Sequence, residues 1–177
     1  MGKDLPRVAM VGRSNVGKSS LLNALTQAKL AQTSATPGKT QKIHFYNWPE
    51  VPCVLVDLPG YGFAVKSHEE REIWRKLIEG YFQRDKNLQC LLVLLDSRHG
   101  PTPIDEEALA YFETLGLRLI WVMTKADQIR TQSDRVKRVR EVKSLAPGDI
   151  FWVSVEKGAM SELGKLRNHL KNLASKS

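Results

Sequence analysis

Acidic residues are in short supply in this chain of 177 residues: 19 Asp and Glu stand against 27 Lys and Arg, a formal net charge of +8. A surplus of that sign draws polyanions such as RNA, although it also serves solubility. Cysteine is scarcer still. Cys53 and Cys90 each sit in an apolar run without a CxxC partner, which argues against metal binding and for buried thiols in a reducing compartment. The histidines His44, His68, His99 and His169 are scattered, with no metal-ligand spacing. No apolar run approaches the roughly 20 residues that span a bilayer. The longest, residues 90–95, suits a buried strand. The start Met1-Gly2-Lys3-Asp4-Leu5-Pro6 lacks an apolar signal region, and Pro6 stands where a myristoylation signal needs Ser or Thr. The expectation is a soluble, cytoplasmic protein with no membrane partner.

The chain also lacks internal repeats, low-complexity tracts and linkers, and its 42% apolar content is that of a globular protein. Its length suits a single domain over residues 1–177. Apolar runs place strands over residues 7–11, 43–47, 53–57, 88–96, 118–124 and 149–155. Helical spacing falls over residues 19–27, 69–82, 105–115, 133–145 and 160–173. Ser133 or a residue just before it would cap the fourth of these. Residues 31–41 are small, polar and broken by Pro37 and Gly38, so they read as a loop. The second and third strands pair as a hairpin. Alternating strands and helices give an α/β fold: a three-layer, doubly wound sheet of six mostly parallel strands with one antiparallel edge strand. In such sheets ligands bind beyond the carboxyl ends of the strands.

The first strand runs into Gly12-Arg13-Ser14-Asn15-Val16-Gly17-Lys18-Ser19, which fits G-x-x-x-x-G-K-[ST]. Glycines let backbone wrap phosphate oxygens, and successive N–H groups with the helix N-terminus face the anion. Lys18 then reaches the β- and γ-phosphates, and Ser19 offers its hydroxyl to Mg²⁺. The strand over residues 53–57 ends in Asp57-Leu58-Pro59-Gly60, a D-x-x-G. Asp57 would hold Mg²⁺ through water, and the Gly60 N–H would bond the γ-phosphate, whose loss frees the loop. The strand over residues 118–124 ends in Thr124-Lys125-Ala126-Asp127. A carboxylate there accepts from guanine N1–H and N2–H₂, a donor pair adenine does not have. The Lys125 stem packs over the purine while its head braces the phosphate loop. Each of the last two motifs is weak alone; the combination specifies GTP and GDP.

The set G-R-S-N-V-G-K-S, T-P-G-K-T-Q, D-L-P-G-Y-G and T-K-A-D resembles the translation-factor-related GTPases, and more narrowly the EngB family of bacterial ribosome-biogenesis GTPases. The resemblance covers nearly the whole chain. It implies that Thr40 is the second protein ligand of Mg²⁺, and so acts in catalysis with Lys18 and Gly60. It also implies that Gly38, Lys39, Gln41 and Lys42 line the nucleotide site beside Thr40. Thr36, before Pro37, is structural. The family's base-contacting loop falls on Val153, Ser154 and Val155, with the N–H groups of Ser154 and Val155 facing guanine O6. Val155 departs from the usual small residue. Where Ras-type enzymes carry a water-orienting Gln after D-x-x-G, this chain has Tyr61. Slow intrinsic hydrolysis is therefore expected, with help from a potassium ion near Asn15 or from a group on the ribosome. The resemblance implies a switch in assembly of the large ribosomal subunit and its rRNA, a link to cell division and septum formation, and a monomer.

Arg98-His99 lies at a strand exit near the nucleotide end without an assigned role. Trp48, Trp74, Trp121 and Trp152 read as core or half-buried rather than as a base-stacking platform. Arg135, Lys137, Arg138, Arg140 and Lys143, preceded by Arg130, make the fourth helix basic, and Lys165, Arg167, Lys171 and Lys176 add to this at the last. Together these offer rRNA phosphates a surface, with no base-reading motif. Two other classes compete with a ribosomal switch: a GTP-dependent binding module at the division site with hydrolysis incidental, and a small-molecule kinase. Asp127 disfavours the kinase, as does the lack of an Arg-rich lid. Asp127→Asn is expected to shift binding from guanine towards xanthine nucleotides in a competition assay against ATP. Equal binding of ATP by the wild type would remove the guanine assignment.

Overall fold

The computed structural model describes residues 5–31, 42–61, 68–156 and 161–175. Its strands are β1 (Arg7–Gly12), β2 (His44–Asn47), β3 (Val54–Asp57), β4 (Leu88–Asp96), β5 (Leu119–Thr124) and β6 (Asp149–Trp152). The α-helices are α1 (Lys18–Thr26), α2 (His68–Arg84), α3 (Pro103–Thr114), α4 (Gln132–Leu145) and α5 (Leu163–Ala174). The sheet order is β2-β3-β1-β4-β5-β6. Only the β2–β3 pair is antiparallel; the other pairs are parallel. This is the mixed six-stranded sheet the sequence implies.

The pleat sorts side chains into two layers. Val8, Met10, Leu55, Leu92, Leu94, Ile120 and Val122 face one layer with Leu21, Leu22 and Leu25 of α1 and Leu166 and Leu170 of α5. The alternate residues Ala9, Val11, Val56, Leu91, Val93, Trp121 and Met123 meet Ile78 of α2, Phe112 of α3 and Val142 of α4. Burying one Leu- or Val-sized side chain stabilises by about 1.5–3 kcal/mol. Exposed ion pairs such as Arg75–Glu79 are screened by water and contribute little beside that burial. The two apolar layers therefore hold the sheet. Cys53 and Cys90 are buried in the first layer as free thiols. Burial pushes the Cys53 thiol up to about 11 and the Cys90 thiol up to about 12.

The boundaries follow local chemistry. Helix α3 begins at Pro103, two residues before the sequence estimate, because Asp105 Oδ2 accepts from the Thr102 N–H (2.8 Å) and the Thr102 hydroxyl (2.6 Å). Helix α4 is capped by Thr131, whose side chain accepts from the Asp134 N–H at 3.1 Å. Strand β6 ends at Trp152 rather than at residue 155, so Val153, Ser154 and Val155 form a loop beyond it. The β2–β3 turn is tied to α5 by Glu50, which accepts from Arg167 at 2.7 Å and Lys171 at 3.5 Å. Because β1, β3, β5 and β6 run parallel, all their carboxyl ends open on one edge. The short loops that follow them are brought together there.

Candidate functional site

Between β1 and α1 the chain turns through a loop whose shape is set by two left-handed residues, Asn15 (φ 62°) and Gly17 (φ 101°). Glycine takes this backbone freely, and the short side chain of asparagine tolerates it. Val16 between them is 4% exposed and plugs into the core, so the loop is pinned from below. Arg13, Ser14, Lys18 and Ser19 are half-buried around it. The D-x-x-G segment closes against the same loop. A Cβ on Gly60 would stand 2.8 Å from the Gly12 carbonyl oxygen, an approach only glycine allows. The Leu58 N–H donates to the Met10 carbonyl at 3.1 Å, and the Trp74 indole donates to the Pro59 carbonyl at 2.9 Å. Leu58, Pro59 and Gly60 are buried, so this segment is held by the sheet on one side and by α2 on the other.

Lys18 and Asp57 meet in a direct ion pair, with side chains only 12% and 7% exposed. This brings the phosphate-reaching ammonium and the metal-side carboxylate into one spot. Ser19 sits beside Lys18 on the first turn of α1. The hard oxygens of Asp57 and Ser19 suit Mg²⁺. Among the described residues there is no cluster of three His, Cys, Asp or Glu side chains that makes a self-sufficient metal cage. Such a donor set fits a cation that shares its ligands with bound phosphates. Gly38, Lys39, Thr40 and Gln41 lie outside the described residues, and Lys42 is exposed just before β2.

The base-side loop is cross-braced to the phosphate loop. The buried Thr124 hydroxyl donates to the Val16 carbonyl at 2.7 Å, with the Leu95 carbonyl at 3.1 Å. Lys125 has left-handed backbone (φ 54°), a conformation that costs a non-glycine residue roughly 1 kcal/mol or more. Its ammonium bridges the Asn15 carbonyl (3.0 Å) and Asp96 Oδ2 (2.8 Å). Its carbonyl accepts from the fully buried Ser97 hydroxyl at 2.9 Å. The Ala126 N–H donates to the Val153 carbonyl at 3.2 Å, joining the two base-side loops. Asp127 is exposed at the mouth and is aimed by the buried Ser154, whose hydroxyl donates to Asp127 Oδ1 at 2.6 Å. The Ser154 N–H, expected to face the base, donates instead to the Ser161 hydroxyl at 3.0 Å. Val155 is exposed beside it. Asp96 and Ser97 are contributors that the motifs do not name. Their only signal in the sequence is a polar pair closing the apolar run of β4.

Tyr61 turns away from this mouth. It is 5% exposed and packs between Trp74 and Phe112, with ring centroids 6.5 Å and 6.3 Å away. Burial first, then the neighbouring Asp105 carboxylate, hold its phenol neutral, well above the ordinary tyrosine range. A ring so placed anchors the end of the D-x-x-G segment against α2 and α3. It does not stand where a side chain orients an attacking water.

A family model described as "50S ribosome-binding GTPase" matches residues 7–125. A probable GTP-binding protein EngB of Oleidesulfovibrio alaskensis is 43% identical over 170 residues, covering 96% of this chain and 77% of its own. The chain belongs to the EngB family of GTPases. The probable EngB of Nitratidesulfovibrio vulgaris is 48% identical over 138 residues, 76% of this chain; the match spans 64% of that protein's length, less than two thirds. The structure of Era with MgGDPNP and nucleotides 1506–1542 of 16S ribosomal RNA superposes with a TM-score of 0.73 at 25% identity, over 96% of this chain and 57% of Era.

The basic surface of this EngB-family chain is divided. Helix α4 packs on the same layer as α2 and α3, whereas α5 packs with α1 on the opposite layer. The two basic helices therefore do not form one continuous face. Several of their charges are already engaged. Arg135 lies over the Trp152 ring at 4.5 Å, and Arg138 donates to the Ser97 and Arg98 carbonyls at 3.2 Å and 2.9 Å. Arg167 and Lys171 are turned to Glu50, and Lys165 lies 3.2 Å from Glu162. Arg130, Arg140 and Lys143 remain exposed on the α4 side. No helix among the described residues is long and apolar enough to cross a membrane.

Thr124→Val keeps the shape but removes the hydroxyl that reaches Val16 and Leu95. The expected loss is about 1–3 kcal/mol in urea unfolding, with weaker GDP binding measured by titration. An unchanged urea midpoint would show that the brace carries no stability.

Proposed function

We propose that this chain is a Mg²⁺-dependent GTP-binding switch with slow GTP hydrolysis that acts in assembly of the large ribosomal subunit. The observation that carries the reading is the convergence of residues 12–19, 57–60, 124–127 and 153–155 on one sheet edge, with Asp127 aimed by Ser154 as a guanine acceptor. Water attacks the γ-phosphate. Lys18 leaves Asp57 for the phosphate oxygens and, with the Gly60 N–H, stabilises the charge that develops there. Ser19, Thr40 and Asp57 are the residues that would hold Mg²⁺, which when bound neutralises phosphate charge. Gly12, Arg13, Ser14, Asn15, Val16 and Gly17 wrap the phosphates with backbone N–H groups, and Lys125 packs over the base. The loops around Thr40 and Gly60 respond to loss of the γ-phosphate.

Slow turnover is supported by Tyr61, whose ring is buried away from the mouth and leaves that position without a water-orienting group. A potassium ion beside Asn15 is the proposed aid. The ribosomal role is supported by the description of the matching family and by the rRNA held by Era. The exposed Arg140 and Lys143 on α4, with Arg130 just before it, supply the phosphate-facing charge. The reading extends to a cytoplasmic monomer acting as one nucleotide-binding domain, whose loss disturbs cell division and septum formation.

Two measurements test it. Co-sedimentation with large ribosomal subunits is expected to be strong with a GTP analogue and weak with GDP; binding indifferent to the nucleotide would remove the switch. GTP turnover is expected to be faster in potassium than in sodium at equal ionic strength, and equal rates would exclude the cation.

A further inference from the structure

The β4 exit carries an ion cluster that the nucleotide motifs do not include. Both oxygens of Asp96 are used. Oδ1 accepts from the Arg98 N–H at 3.1 Å and from Arg98 Nε at 2.9 Å. Oδ2 is shared between Arg98 Nη2 at 2.7 Å and Lys125 Nζ at 2.8 Å. The carboxylate is 14% exposed, whereas Arg98 is 41% exposed. Burial disfavours the charged form of Asp96, but the Arg98 and Lys125 hydrogen bonds outweigh it and hold the carboxyl well below the usual range. Among the described residues, Lys125 has one other acceptor for its ammonium, the neutral Asn15 carbonyl. The Asp96 contact joins two opposite charges, whereas the Asn15 contact has only one charged partner, so Asp96 weighs more in where the flexible Lys125 side chain rests.

We propose that Asp96 is a positioning residue of the nucleotide site: it fixes the Lys125 ammonium, hence the Lys125 stem against the base, and thereby sets how fast a guanine nucleotide leaves. Arg98 is the counterweight, drawing on the same oxygen from the solvent side. The inference rests on the reading of Lys125 as the base-packing residue.

The test is release of N-methylanthraniloyl-GDP from the full chain, chased with GDP. Asp96→Asn is expected to speed release on the order of tenfold, as for loss of one charge-assisted hydrogen bond. In a Lys125→Met background the same Asp96→Asn change is expected to alter release by less than about twofold, because the group it acts through is gone. A purely structural Asp96 would give independent, multiplying effects, and that outcome overturns the proposal. So does unchanged release in Asp96→Asn alone. Arg98→Ala hands Oδ2 to Lys125 and is expected to slow release, an effect absent beside Lys125→Met. If Asp96→Asn does not fold by circular dichroism, this pair decides, and equal or faster release in Arg98→Ala overturns the proposal. A wild type that binds adenine and guanine nucleotides alike would instead overturn the guanine site itself.

Discussion

The Thr124 hydroxyl lies between the Val16 and Leu95 carbonyls, and the geometry of the nucleotide end depends on that contact. Residues 13–17 are a stretch of turning backbone with little regular hydrogen bonding of its own. Such a loop keeps its shape only if neighbours supply partners for its polar groups. Thr124 does so from the end of β5, Lys125 does so at Asn15, and Gly60 closes the remaining side by backbone contact. They come from the exits of two different strands, β5 for Thr124 and Lys125 and β3 for Gly60, so the register of the sheet is what sets the width of the cradle. Two apolar layers fix that register, because a slip of one residue would turn every buried side chain to the wrong face.

The strands were the most legible part of the sequence. Residues 88–96 read as one apolar run and form β4 over the same residues, since a strand covered on both faces needs apolar side chains throughout. Ends were less legible. Thr131, Ser133 and Asp134 offer competing caps for α4, and only the folded chain shows that Thr131 caps it and that Thr102 caps α3. The phosphate loop, D-x-x-G and T-K-A-D were readable because their chemistry is local. Asp96 was not, because its partner Lys125 lies 29 residues away and an acid at a strand end looks the same whether solvated or engaged. Tyr61 occupies a motif position that suggests the reaction side. The bridge between Arg13 and Tyr61 and the packing against Phe112 turn it inward instead.

Charge was the least transferable signal. Summed along the sequence, α4 and α5 look like one basic surface, but periodicity says nothing about which layer each helix joins. The helix faces are also discounted by carbonyls, an indole ring and Glu50, which together engage Arg135, Arg138, Arg167 and Lys171. What remains for a polyanion is a strip along α4 rather than a broad plate. Its pull is screened over about 10 Å at moderate salt, so α5 on the far layer contributes little to the same contact.

The two cysteines have a practical consequence. With Cys53 pushed up to about 11 and Cys90 up to about 12, the nucleophilic thiolate form is scarce at neutral pH, and both sulfurs are shielded by the core. Alkylating dyes and spin labels therefore find no native target in the folded protein. A single cysteine introduced on an exposed turn gives a site-specific probe without first stripping the natural thiols. Distances between the nucleotide mouth and α4 can then be followed in the otherwise unaltered chain.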